Sequence, residues 1–224
     1  MVFMTLERMA LGGIHDQVGG GFHRYSTDAD WRLPHFEKML IDNGLMLQNY
    51  ATAARIANEM NAPMAGLFDQ ATIGILEGLK REMTTPEGLF CSALDADTMG
   101  EEGLYYLWAI DEISALLGPD APAFIEAFGI SEEGNFLDEA TQQKTGLNLL
   151  SLSEDRREEF RFALQTLLDA RAARPRPMLD NKAIAAWNAA MIRGLVMADE
   201  LLVAERAMRG WMKHTQGFGG LPHQ

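Results

Sequence analysis

The stretch "HFEKMLIDNGLMLQNYATAARIANEM", residues 35–60, decides the fold class. At about 3.6 residues per turn, Phe36, Met39, Leu40, Leu47, Tyr50, Ala51 and Ala54 share one face, and Ile41 and Leu45 add apolar surface on another. A helix apolar over so much of its circumference is expected inside a protein. Pro34 stands before it as a start signal. Asn43 projects among those apolar side chains. A buried amide must find partners, so Asn43 is expected to tether a loop. Lys38 and Asp42, spaced i, i+4, read as an ordinary helix pair.

Helical periodicity continues outward from this segment. Residues 63–84 repeat the pattern with a stripe of Phe68, Ala71, Ile75 and Leu79. Residues 88–108, "GLFCSALDADTMGEEGLYYLW", break it with glycines and a polar middle, and predict a β-hairpin excursion. Short helices are expected at 111–117 and 120–128, and a loop over 129–150. An amphipathic helix is predicted at 151–174, where acids crowd the start and arginines the end, with Ser151 or Ser153 as cap. A second buried helix is expected at 182–202, capped by Asp180 or Asn181, and another helix at about 203–214. "GFGGLPHQ" reads as a closing loop. The alternation of buried and amphipathic helices suits either a helical toroid or an irregular bundle.

The chain has 224 residues with a net charge of −13. Such a surface repels phosphate backbones and anionic membranes, so neither nucleic acid nor membrane is expected as a partner. The single cysteine, Cys91, excludes an internal disulfide and a CxxC pair. That suits a reducing compartment, and a cytoplasmic location is expected. Neither a signal peptide nor a span of about 20 apolar residues is visible.

Four stretches carry chemistry. In "GGIHDQVGGGFHRYSTDADWRLPHFEKML", residues 12–40, the glycines at 19–21 precede His23 and Arg24. This is not a nucleotide loop, because GxGxxG needs a strand before it and the P-loop lysine is absent. A ligand-handling loop and a helix-capping loop both remain open. His35 and Glu37 form no HExxH, so no zinc is expected. "DADTMGEEG" gathers Asp95, Asp97, Glu101 and Glu102, but an EF-hand loop would need oxygen ligands where Met99 and Tyr106 stand. Paired carboxylates also serve glycoside chemistry. "RPRPMLDNKAIAAWN" places Asp180 and Lys182 before a helix carrying Trp187, a side chain suited to a sugar face or to a core.

Together "GGIHDQVGGGFHRYSTDADWRLPHFEKMLIDN", "GLFCSALDADTMGEEGLYYLW" and "RPRPMLDNKAIAAWNAAMI" resemble the thioredoxin-domain-containing family that includes spermatogenesis-associated protein 20 and its bacterial relatives. The resemblance implies an all-α fold, a partial (α/α)6 toroid of the six-hairpin glycosidase-like kind with a small β-hairpin excursion. It implies that residues 1–224 form an incomplete toroid, about half of the family's, with the family's thioredoxin-like domain absent. In this sequence His15 and Ile41 replace commoner tyrosines, and Asn181 a commoner aspartate. The implied activity is carbohydrate-active or carbohydrate-binding, resembling sugar hydrolases or epimerases, with a non-catalytic module serving a redox domain as the alternative. The acid–base candidates are then Asp95, Asp97, Glu102, His35 and Asp180. His23, Arg24, Glu37, Lys182 and Trp187 would bind substrate. No cofactor or metal is expected. The expected partners are a small carbohydrate and, through exposed toroid faces, further copies of the chain.

Overall fold

A computed structural model describes residues 1–137 and 143–215. Residues 138–142 of the expected 129–150 loop, and the closing "GFGGLPHQ", lie outside the described residues. The chain is mostly helical. In order run α1 (Val2–Leu11), β1 (Tyr25–Ser26), β2 (Pro34–His35), β3 (Lys38–Met39), α2 (Leu40–Glu59), α3 (Ala65–Glu82) and β4 (Ala93–Leu94). Then follow β5 (Asp97–Thr98), β6 (Glu101–Glu102), β7 (Trp108–Ala109), α4 (Ile110–Leu117) and α5 (Ala121–Ala127). The last are β8 (Leu147–Asn148), α6 (Arg161–Ala172), β9 (Leu179–Asp180), α7 (Ala185–Met197) and α8 (Leu201–Thr215).

The largest departure from the sequence reading lies at the start of α2. Residues 35–39 are extended, not helical. His35 pairs with Tyr25, and Lys38–Met39 pair with Leu94 and Ala93. The backbone groups that a helix would use are already taken. Arg24 N–H donates to Glu37 O at 2.8 Å, and Leu40 N–H to Ser92 O at 2.8 Å. Lys38 therefore sits on a strand, and its side chain leaves Asp42 for the interior.

α2 and α7 lie side by side in close contact. A Cβ at Gly44 would stand 2.9 Å from Met191 N, and one at Gly194 2.9 Å from Gly44 O. Gln48 Nε2 spans the seam to Ala190 O at 3.0 Å. α7 is less enclosed than its composition suggests, for Asn188, Met191, Gly194 and Leu195 are its buried residues. It ends early because Asp199 takes a left-handed φ of 61°. α3 covers α2, α8 covers α7, and α1 joins the group through Tyr50 Oη, which donates to Leu6 O at 2.7 Å. The expected helix at 151–174 shortens to α6. Leu152 N–H is drawn to Leu11 O at 2.8 Å, and neither serine caps the helix.

A three-stranded sheet, β3–β4–β9, ties the starts of α2 and α7 together. The excursion contains the β5–β6 hairpin, whose turn residues Met99 and Gly100 have φ of 57° and 86°. Two positive φ values are what a tight two-residue hairpin demands. Among the described residues no helix is long and apolar enough to cross a membrane.

Candidate functional site

The glycine loop is buried, and packing accounts for its glycines. Gly20, at φ 74°, lies against Gly74 of α3, where a Cβ would strike the backbone carbonyl. A Cβ at Gly19 would strike Arg171. Asn43 holds the loop as the sequence suggested. Its Oδ1 accepts from Phe22 N–H at 2.8 Å, and its Nδ2 donates to Phe22 O at 2.9 Å. Asn188 grips Phe90 in the same way on α7, at 2.9 Å for both bonds.

Beneath the loop is a charged cluster that the sequence reading missed. Arg171 donates its fork to both oxygens of Asp16 at 2.9 Å, and Lys38 Nζ donates to Asp16 Oδ2 at 2.7 Å and to Gly20 O at 2.9 Å. The backbone N–H groups of Val18 and Gly19 also point at Asp16 Oδ1. These side chains are 1–3% exposed. Burial alone would raise the Asp16 carboxyl, but Arg171 and then Lys38 outweigh it and hold it well below the usual carboxylate range. Tyr106 lies under both cations, and burial with nearby Glu82 and Asp16 pushes its hydroxyl well up.

The surface rim begins where the loop emerges. Arg24 Nη1 donates to Glu37 Oε2 at 2.9 Å. His35 Nδ1 meets Glu102 Oε1 at 2.7 Å, and Phe36 N–H donates to the same oxygen at 3.1 Å. A carboxylate accepts only, so Nδ1 carries the hydrogen. That leaves His35 Nε2 facing Glu37 Oε2, 3.9 Å away. Half-exposed Tyr25 stacks on the His35 ring at 5.0 Å. Arg24, His35, Glu37 and Glu102 are thus brought together, from segments that the strands align.

The other expected site residues are more scattered. Asp97 is exposed and stands across the ladder from Glu102. Asp95 is tied to the segment before β9 instead, its N–H donating to Met178 O at 2.9 Å. Asp180 carries Lys182 at 3.0 Å, and that contact holds its carboxyl below its ordinary value. Trp187 packs partly buried against the main core. His23 is interior, its Nδ1–H on Phe36 O at 2.9 Å and its ring edge-on to Tyr106. No group of three metal-ligating side chains gathers among the described residues.

Two contributors went unread in the sequence. Tyr25 is one, and only the β1–β2 pairing reveals it. Asp16 is the other. A lone aspartate in a glycine loop carried no signal that Lys38 and Arg171, distant in the chain, would converge on it.

No family profile matches the chain. It is 34% identical over 238 residues to spermatogenesis-associated protein 20 of Rattus norvegicus and 33% identical to that of Homo sapiens, each match covering 92% of this chain. An uncharacterized protein of Caenorhabditis elegans is 30% identical over 228 residues, covering 88% of this chain. The chain spans 29% of the rat protein, 30% of the human one and 31% of the nematode one. These matches support the family resemblance carried by the three motifs.

Proposed function

We propose, from the premise that this chain is a relative of a segment of spermatogenesis-associated protein 20, that it contributes the rim of an (α/α) toroid on which a small carbohydrate is bound and exchanges protons. On this reading residues 1–224 supply about half of the toroid, and a thioredoxin-like domain belongs to the longer proteins. The observation that carries the proposal is the 2.7 Å contact between Glu102 and His35. Glu102 fixes the imidazole ring and its tautomer, so that Nε2 presents a lone pair at a partly exposed edge. Arg24 and Glu37 offer donors and acceptors to hydroxyls beside it, and Tyr25 offers a flat face. Asp97, across the ladder from Glu102, adds a further acid beside it, and Asp95 and Asp180 with Lys182 are kept as further candidates of this reading.

Thermal-shift titration of the chain with a panel of mono- and disaccharides tests this reading. A bound sugar at one hundred times its Kd stabilises by about 2.7 kcal/mol. His35→Gln is expected to abolish the response and Glu102→Gln to weaken it. A panel in which no sugar raises the melting temperature would sink the proposal.

One observation favours the alternative, a non-catalytic interaction module serving a redox domain. α7 and α8 expose Val196, Leu201, Leu202, Met208 and Met212, with Leu202 82% exposed. An apolar face of this kind calls for a cover. On that reading alanine at both Asp95 and Asp97 spares all function of the longer protein, and a complete loss argues against it. The exposed face separately predicts self-association of the chain, read as concentration-dependent sedimentation that Leu202→Asp relieves.

A further inference from the structure

A groove of about 280 Å³ lies between α3 and α6, and none of the rim residues lines it. Arg157, just before α6, lines it half-buried. Arg81, Arg156, Arg171 and Arg174 are the other described arginines withdrawn from solvent, and each faces a carboxylate. Arg157 meets neutral groups alone. Its Nη1 donates to Gln17 Oε1 at 3.1 Å and its Nη2 to Gln17 O at 3.2 Å, while Nη1 also stands 3.0 Å from His15 Nδ1. A guanidinium carries five hydrogens, so one on Nε and one on Nη2 are left over. Nothing among the described residues accepts from either. Nε is open to solvent, whereas the unpartnered Nε of Arg171 is shut from it.

Those two hydrogens lie parallel along one edge of the guanidinium and match the two oxygens of a carboxylate. We propose that this edge receives the carboxylate of a small aliphatic acid, whose chain lies in the groove over Ile73, Leu164 and Leu168. Gln17 holds the other edge, so the fork is set in place before the ligand arrives. Ile73 is 53% exposed and offers the chain an apolar bed. Gly74 adds no side chain to the groove between them. The charges around the groove favour a single negative charge. Glu77 lines it, and Glu158 lines it 3.5 Å from Arg161. A carboxylate is matched by Arg157, whereas a phosphate dianion would face both acids with a charge to spare. The volume suits a chain of a few carbons and excludes a peptide helix about 10 Å across. This site shares no residue with the proposed sugar rim and stands or falls apart from it.

Sodium hexanoate titrated into the isotope-labelled chain tests it by NMR, with the Arg157 Nε–H signal assigned by its loss in Arg157→Lys. That signal is expected to move and saturate. Hexanamide has the same chain without the charge and should leave it in place. Inorganic phosphate should bind more weakly than hexanoate. Arg157→Lys keeps the charge but loses the fork, and should weaken hexanoate about tenfold, read from the backbone amides of α3 and α6. Glu77→Gln, at an exposed position, should tighten it about twofold and keeps the test decisive if the lysine variant misfolds. A signal that hexanoate does not move overturns the proposal, as does a Glu77→Gln chain that binds no tighter. An equal response to hexanamide or phosphate, or an unchanged affinity in Arg157→Lys, means an adventitious ion only and overturns it too.

Discussion

Asp16→Asn lowers the stability of the fold by about 3–5 kcal/mol, the cost expected when one partner of a buried ion pair is removed and the others remain charged. Asp16 serves Arg171 and Lys38 together, at 2.9 and 2.7 Å, in a region where neither cation reaches water. Asparagine keeps the size and some of the acceptor capacity but offers only one acceptor oxygen and no charge. Glu82 cannot take over, because it stands 3.9 Å from Lys38 and already faces Arg81. At roughly 2–4 °C per kcal/mol for a chain of this size, the melting temperature should fall by about 6–20 °C. Asp169→Asn, at an exposed position on α6, supplies the control and should stay within about 0.5 kcal/mol. Coupling makes the test sharper. Arg171→Met should cost less in the Asp16→Asn background than alone, since its partner is already gone. Additive losses, or a loss no larger than the control's, would show that the cluster is not the structural centre described.

The cluster also links fold to rim. Lys38 lies on β3, one residue after Glu37 and three after His35. Its ammonium anchors the strand on Asp16 and the glycine loop, while Glu37 just before the strand holds Arg24 at the rim. Whatever loosens Asp16 should therefore loosen the Arg24–Glu37 and His35–Glu102 contacts.

Helix existence was legible in the sequence because it rests on periodicity. Phe68, Ala71, Ile75 and Leu79 are buried together in α3, and the acidic hairpin lies where its glycines announced it. The start of α2 was not legible. "HFEKM" has helical spacing, but its backbone is claimed by strands whose partners stand near 25 and 93, and periodicity within the segment carries no trace of them. One error led to the next. With Lys38 placed on a helix, Asp42 was its natural partner and Asp16 had none. α1 is not legible in residues 1–11, whose apolar run is broken by Glu7 and Arg8, and its burial depends on α3 and Tyr50. Residue type and motif single out His35, Glu37, Glu102 and Arg24 as candidates, and the fold brings them together, but the depth of His23 is not legible. Its neighbour Arg24 is exposed, and a loop gives no periodicity from which to read one side chain in and the next out.

That depth gives the second large effect, a steep loss of stability in mild acid. His23 is buried beside Lys38 and Arg171, its Nδ1–H is fixed on Phe36 O, and its Nε2 has no partner. Burial first, and Lys38 next, lower its pKa to about 3. His15 is shifted the same way, by burial and then by Arg157. In the unfolded chain both histidines take up protons near pH 6.5, so between there and about pH 3 the unfolded state binds more protons than the native one. Stability therefore falls as pH is lowered through that window, by up to about 1.4 kcal/mol per unit for each histidine and on the order of 5 kcal/mol in all for His23. Asp16 acts in a separate window. Its carboxyl is depressed in the fold, so its contribution is intact above the unfolded value of about 3.9 and is lost only as pH drops below it. Urea titrations at successive pH values resolve the two. The slope of unfolding free energy against pH between 4 and 6.5 should lose about half its magnitude in His23→Gln, whatever that change does to stability at pH 7. A flat profile over that range in the unsubstituted chain, or a slope that His23→Gln leaves unaltered, would mean that the imidazole accepts its proton inside the fold and is not enclosed among those cations.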